Sequence, residues 1–184
     1  MNRQSLEEKE LKLKLRLAQL ERNEACQNNF LQFVRRLWPE FITGRHHEII
    51  AEKLERVAKG ELKRLIINMA PRHTKSEFAS FLFPAWMMGR KPNMKIIQAT
   101  HTTELAVNFG RKTKNMIDSD EYKEIFPEVK LAADSKASGR WDTSAGGMYY
   151  AVGVGSNLAG RGGDLVIIDD PHSEQTAMSN NGFD

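Results

Sequence analysis

The sequence predicts an α/β domain on a mainly parallel sheet, preceded by a helical arm. Three observations carry that expectation. Apolar, β-branched runs ("RLIIN", "MKIIQATH", "DLVIID") alternate along the chain with segments of helical periodicity. Unbroken apolar runs are what strands covered on both faces look like, and the alternation places helices between them. Residues 1–28 stand apart, because they are charged and leucine-rich and contain neither Gly nor Pro.

The elements follow in order. In 1–28 the run "LKLKLRL" alternates like a strand, but its surroundings favour a helix. On that helix Leu6, Leu13, Leu17 and Leu20 share one face and Leu11 and Leu15 the other. Such an arm either packs on its own domain or docks a partner. "FLQFVRRLWPEFITG" predicts a helix ending near Trp38-Pro39, then a turn at Gly44. "RHHEIIAEKLERVAKG" predicts an amphipathic helix with a stripe of Ile49, Ile50, Leu54 and Val57, stopped by Gly60. Arg64–Asn68 predicts a buried strand. Ser76–Phe83 predicts a helix that Pro84 must kink or end. "MKIIQATH" predicts a second strand, Thr103–Ile117 a long helix and Glu121–Phe126 a short one. Lys130–Ser144 reads mostly as loop, "GMYYAVGVGS" as a strand before a glycine-rich loop, and "DLVIIDDP" as a further buried strand.

Composition bounds the function. The chain has 184 residues, 40% hydrophobic and 28% charged, which allows a sizeable core and is too apolar for wholesale disorder. A net charge of +3 permits a nucleic-acid partner without demanding one. The single cysteine, Cys26, excludes an intrachain disulfide and a cysteine-based zinc site. The longest apolar run, around Phe78–Met88, is shorter than a membrane span and is interrupted by Pro84. No spacing suits a nucleophile triad or a glycosidase carboxylate pair.

The chemistry concentrates in two places. "MAPRHTKSE" (Met69–Glu77) lies between a predicted strand and a predicted helix, the order of a phosphate-binding loop. Polyphosphate calls for backbone N–H groups, a helix N-terminus and a cation. Lys75 offers the charge, Ser76 a hydroxyl for Mg²⁺, and the loop from Arg72 through His73 and Thr74 to Glu77 the surrounding contacts. The usual loop has glycines where Met69 and Thr74 stand. A β-branched residue in glycine's left-handed conformation is strained, so the loop takes another path or has lost the function. The second place is "LVIIDDP". An acid at a strand's C-terminal end holds the Mg²⁺ that Ser76 touches, which assigns Asp169. The next acid, Asp170, polarises a water for attack on the terminal phosphate. Alternatively, Asp-Asp-Pro merely opens a turn.

Other residues carry weaker readings. Gly153–Gly163 is rich in glycine, but a strand follows it and G-x-G-x-x-G is absent; it is read as a loop presenting Arg161, a transition-state finger or a surface arginine. Arg72 either stabilises phosphate or forms a salt bridge. His46 and His47 either line an adenine pocket or are capping or surface residues at a helix start. His101 and Thr102, beyond the second strand, share the same rim. Trp141 packs or stacks on a base.

With these residues in place, the chain resembles the large terminase subunit of tailed bacteriophages, the ATPase that drives viral DNA into a procapsid. The resemblance runs from about Phe30 onward. It is carried by "GRHHEIIAEKLERVAKGELKRLIINMAPRHTKSE", "KIIQATHTTELAVNFGRK" and "GRWDTSAGGMYYAVGVGSNLAGRGGDLVIIDDPHSE". In that family the phosphate loop is atypical, often P-P-R-H-G-K-S; here Ala70 replaces the first proline and Thr74 the glycine. The resemblance implies a P-loop NTPase of the ASCE/RecA-like type with ATP and Mg²⁺ as cofactors. Lys75 and Ser76 fall on the Walker A positions for phosphate and Mg²⁺, and Arg72 on the loop arginine. Asp169 falls on the Walker B metal-binding acid. Asp170 falls on the catalytic carboxylate, which is Glu in many relatives, and Arg161 near a finger arginine at a shorter spacing to the acids.

The implied organisation is an arm at 1–28 and part of an ATPase domain at 29–184, stopping after the Walker B strand without the nuclease. A parallel sheet stopped there exposes an apolar edge, so association or marginal stability is expected. The implied partners are double-stranded DNA, the portal protein of the procapsid, the small terminase subunit and, in a ring of five, further copies of the chain. The implied setting is the host cytoplasm during assembly, with no membrane and no lasting place in the virion. Two other functions fit the same residues: a helicase-like, nucleic-acid-stimulated P-loop ATPase, and a non-catalytic assembly or DNA-binding module.

Overall fold

The computed structural model describes residues 3–135, 137–156 and 160–172. The final part of the predicted domain, 173–184, and 157–159 of the glycine-rich loop lie outside them. The described chain is α/β. Its elements are α1 (Arg3–Asn28), α2 (Phe30–Leu37), α3 (Arg45–Ala58), a π-helical turn (Glu77–Leu82) running into α4 (Phe83–Arg90), β1 (Lys95–Thr100), α5 (Thr103–Asp118), α6 (Asp120–Ile125), β2 (Arg140–Asp142), β3 (Met148–Gly153) and β4 (Leu165–Asp169).

The four strands form one mixed sheet in the order β2-β3-β1-β4. β1 is central and parallel to both neighbours, with Ile96 opposite Tyr149 on β3 and Leu165 on β4. β2 runs antiparallel to β3, pairing Trp141 with Tyr149. The parallel core matches the expectation, whereas β2 falls inside a stretch expected to be loop. Trp141 is a packing residue: its ring lies 5.1 Å from Tyr149 at an interplanar angle of 3°, and its Nε1–H donates to the Gly110 carbonyl.

Alternating strand residues separate two apolar clusters. Ile96, Tyr149 and Ala151 join a large core with residues of α1 to α6, with Leu165 and Ile167 packed against it. Ile97, Ala99 and Val152 form a small cluster backed by Tyr150, with no helix residue in it. Phe30 anchors the large core. Its ring makes edge contacts with Phe78 and Phe83 at 5.6 Å and lies 5.4 Å from Trp86. Such pairs add to plain area burial. The arm is tied to the domain at its end. There Cys26 is buried, its carbonyl accepts from Trp86 Nε1–H, and Gln27 donates to the Ile125 carbonyl. Burial pushes the Cys26 thiol pKa up, which keeps it protonated. Nearer the start, Leu6, Leu11, Leu13, Leu15, Leu17 and Leu20 are all exposed.

Two expectations are corrected and one is refined. Arg64–Asn68 is not a strand. Residues 64–69 are irregular, and they pack Leu65, Ile67 and Met69 against the large core while leaving Ile66 exposed. The alternation of a strand is present, but among the described residues no backbone pairs with it, and a strand exists only through its ladder. Pro84, expected to kink or end a helix, falls where the helical segment changes type. The preceding turn is π-helical, with Phe83 N–H donating to Phe78 C=O, and Pro84 then sits in the first turn of α4, where a missing N–H costs nothing. On α3, Ile49 is half exposed; the buried stripe is His47, Ile50, Ala51, Leu54 and Ala58.

β4 is an edge strand among the described residues. Its Val166 and Ile168, on one face of the strand, are 55% and 64% exposed. No described helix is long and apolar enough to cross a membrane.

Candidate functional site

The site gathers at the C-terminal ends of β1 and β4. The turn after α3 and the irregular stretch 64–69 deliver a loop, Ala70–Ser76, to this rim. Its first helical hydrogen bond is Phe78 N–H to Thr74 C=O at 3.0 Å. Lys75 and Ser76 thus open the helical turn, where N–H groups lack intrahelical partners. Lys75 Nζ lies 2.6 Å from Asp170 Oδ1 and 3.9 Å from Asp169 Oδ1. This bridge joins two segments 95 residues apart.

The two acids differ. Asp169 is buried, and one of its oxygens accepts from Ser80 Oγ at 3.0 Å. Asp170 is exposed and has φ of 41°, and its carbonyl accepts from His101 N–H. His101 therefore lies at the same rim, and Thr102 beside it caps α5 by accepting from Leu105 N–H.

The loop does adopt glycine-like geometry without glycine: φ is 64° at Arg72 and 63° at Thr74. Backbone strain of this kind persists only where the surroundings impose it. At Thr74 they do. Its Oγ1 donates to the His73 carbonyl at 2.6 Å and lies 2.7 Å from His47 Nε2. His73 is tied back by Nδ1 to the Pro71 carbonyl at 2.8 Å. Arg72 is exposed.

The remaining predicted residues divide. Glu77 turns to α5, where its carboxylate meets Lys112 Nζ at 2.7 Å. His47 is buried, with both ring nitrogens engaged: Nδ1 accepts from Gly44 N–H, and Nε2 faces Thr74. Burial, followed by repulsion from His46 and His73, lowers its pKa from the ordinary 6.5. His46 lies against it, with ring centroids 3.8 Å apart. Arg161 is not brought to Lys75; its guanidinium sits 4.2 Å over the Tyr150 ring.

Sequence reasoning missed Ser80, the buried hydroxyl that orients Asp169. Its signal was its place four residues after Ser76, in the same helical segment. The donor set fits Mg²⁺ and phosphate: hard carboxylate and hydroxyl oxygens beside one ammonium. Mg²⁺ typically takes one or two carboxylates and leaves the rest of its shell to phosphate and water. The described residues contain no group of three or more His, Cys, Asp or Glu placed to hold a metal. Of two concave surfaces among the described residues, the first lies away from this rim and the second adjoins it at His101 and Thr102. The first, of about 370 Å³, borders Met87 and Leu165, and the second, of about 480 Å³, borders His101 and Arg111.

No known family profile matches the chain, and no curated protein matches it significantly.

Proposed function

We propose that the chain is the ATP-hydrolysing portion of a viral DNA-packaging terminase, a P-loop NTPase that moves double-stranded DNA into a procapsid. One observation carries the reading: Lys75 is 2.6 Å from Asp170 and 3.9 Å from Asp169. A cation at a helix start facing two acids at the end of a parallel strand is the arrangement phosphoryl transfer uses. The reading assigns roles as follows. Lys75 binds the phosphates, displacing Asp170 from its ammonium. Asp169, oriented by Ser80, holds Mg²⁺ together with Ser76. Asp170, once released, orients the attacking water. Mg²⁺, when bound, neutralises charge developing on the phosphates. Arg72 is free to swing toward phosphate. Arg161 joins the cycle only from a neighbouring copy, since in its own chain it rests on Tyr150. DNA is held through its backbone, without sequence readout.

Mg²⁺-dependent ATP turnover tests the proposal. Turnover that rises with procapsid and double-stranded DNA, and is lost in Lys75→Ala and Asp170→Asn, supports it. Stimulation by single-stranded DNA alone favours the helicase-like reading. A folded chain with no turnover under any of these conditions favours the assembly module.

A further inference from the structure

We propose that His47 is a positioning residue for the loop: its Nε2–H donates to Thr74 Oγ1 and holds Thr74 in the left-handed conformation that glycine would adopt freely. This rests on the phosphate-loop reading only for its consequence, not for its geometry. The donor assignment follows from the other side of the ring. Nδ1 accepts from Gly44 N–H at 2.9 Å, so the neutral ring carries its proton on Nε2. That proton points at Thr74 Oγ1, 2.7 Å away, whose own hydroxyl hydrogen is spent on the His73 carbonyl at 2.6 Å. The chain of bonds is directional and complete, from Gly44 through His47 and Thr74 to His73.

The ring is immobile enough to act as a fixed post. It stacks on Phe78, with centroids 5.1 Å apart at 26°, and meets the edge of Phe41 at 4.6 Å. Phe78 is fully buried and lies in the first turn of the helical segment that the loop feeds. The ring therefore references the loop to the core of the domain. Thr74 needs such a reference, because a β-branched residue at φ of 63° is otherwise an outlier. The titratable groups facing His47 are His46, on the same helix, and His73, on the loop; Phe41 and Phe78 present only carbon. A proton on Nδ1 would confront Gly44 N–H, so acid releases the tether.

The test crosses His47→Ala with Thr74→Gly and reads binding of a fluorescent ATP analogue with Mg²⁺. With Thr74 present, His47→Ala is expected to weaken binding about tenfold, equivalent to about 1.4 kcal/mol. With Thr74→Gly already in place, the same change is expected to matter less than about threefold, because glycine needs no post. Equal losses in both backgrounds would show a merely structural role and overturn the proposal. Thr74→Val, which keeps the shape and removes the hydroxyl, guards against misfolding of His47→Ala and is expected to match its loss; wild-type affinity in Thr74→Val overturns the proposal. A second readout does not depend on nucleotide. Exchange of the Phe78 amide, bonded to the Thr74 carbonyl, should speed up about tenfold in His47→Ala and in Thr74→Val, but not when His47→Ala is added to Thr74→Gly. If no protein in the set binds the analogue, the phosphate reading fails, and the exchange pattern still decides for or against the tether.

Discussion

Two loops of this chain reach left-handed backbone by different routes. Gly153–Gly163 has the glycines, with φ of 88° at Gly155 and 78° at Gly160, yet it folds Arg161 onto Tyr150 and lays Gly163 against Ile97. Ala70–Ser76 has no glycine, yet it holds left-handed backbone at Arg72 and Thr74 and places Lys75 against Asp170. The difference lies in side-chain anchoring. Glycine permits a conformation at no steric cost, whereas His47, His73 and Thr74 impose one through hydrogen bonds.

The comparison breaks if the glycine loop proves to control nucleotide binding. The largest effect there is expected at Gly153. A Cβ at that position would lie 2.7 Å from the Thr103 backbone nitrogen and 2.8 Å from its hydroxyl. Gly153→Ala should cost about 1–3 kcal/mol in denaturant unfolding, with nucleotide affinity of the folded protein unchanged. Gly160→Ala meets nothing within 4 Å among the described residues, so its positive φ is what is penalised, by about 1 kcal/mol in the same assay. Arg161→Ala should cost no more than about 1 kcal/mol, the range of a cation–π contact. It should also leave ATP-analogue binding by the isolated chain unaltered. An affinity loss would place Arg161 in its own chain's site.

A subtler contrast is pH. His47 has a lowered pKa in the folded chain, so the unfolded chain binds the proton more readily. The stability it contributes is whole above 6.5 and is lost as pH falls below that value. Thermal melts should therefore show a stability loss below 6.5 that is smaller in His47→Gln. The glycine loop has no histidine and adds nothing to this slope.

The sequence made some of this legible and hid the rest for physical reasons. Apolar runs at Lys95–Thr100, Met148–Gly153 and Leu165–Asp169 became strands because each found a partner ladder. "RLIIN" looks the same in composition, but strand formation depends on a neighbour, and composition does not report neighbours. Arg140–Asp142 escaped notice because three residues with two charges carry no period. The pairing of Lys75 with Asp169 and Asp170 was readable, since each ends or follows an apolar run at one rim of a parallel sheet. The roles of His47 and Ser80 were not. Thr74 lies 27 residues from His47, and Asp169 lies 89 from Ser80, so no local spacing links them. The resting place of Arg161 on Tyr150 was equally closed to sequence, because a loop's path over a sheet is set by tertiary contact.

The most direct measurement is titration of the chain with a fluorescent ATP analogue and Mg²⁺, in parallel with Lys75→Ala. Saturable binding that falls by about a hundredfold or more in a Lys75→Ala protein with an unchanged melting profile is the expected result. Equal affinity in the two proteins, or no binding by a chain whose melt shows it folded, would contradict a phosphate site built without glycine.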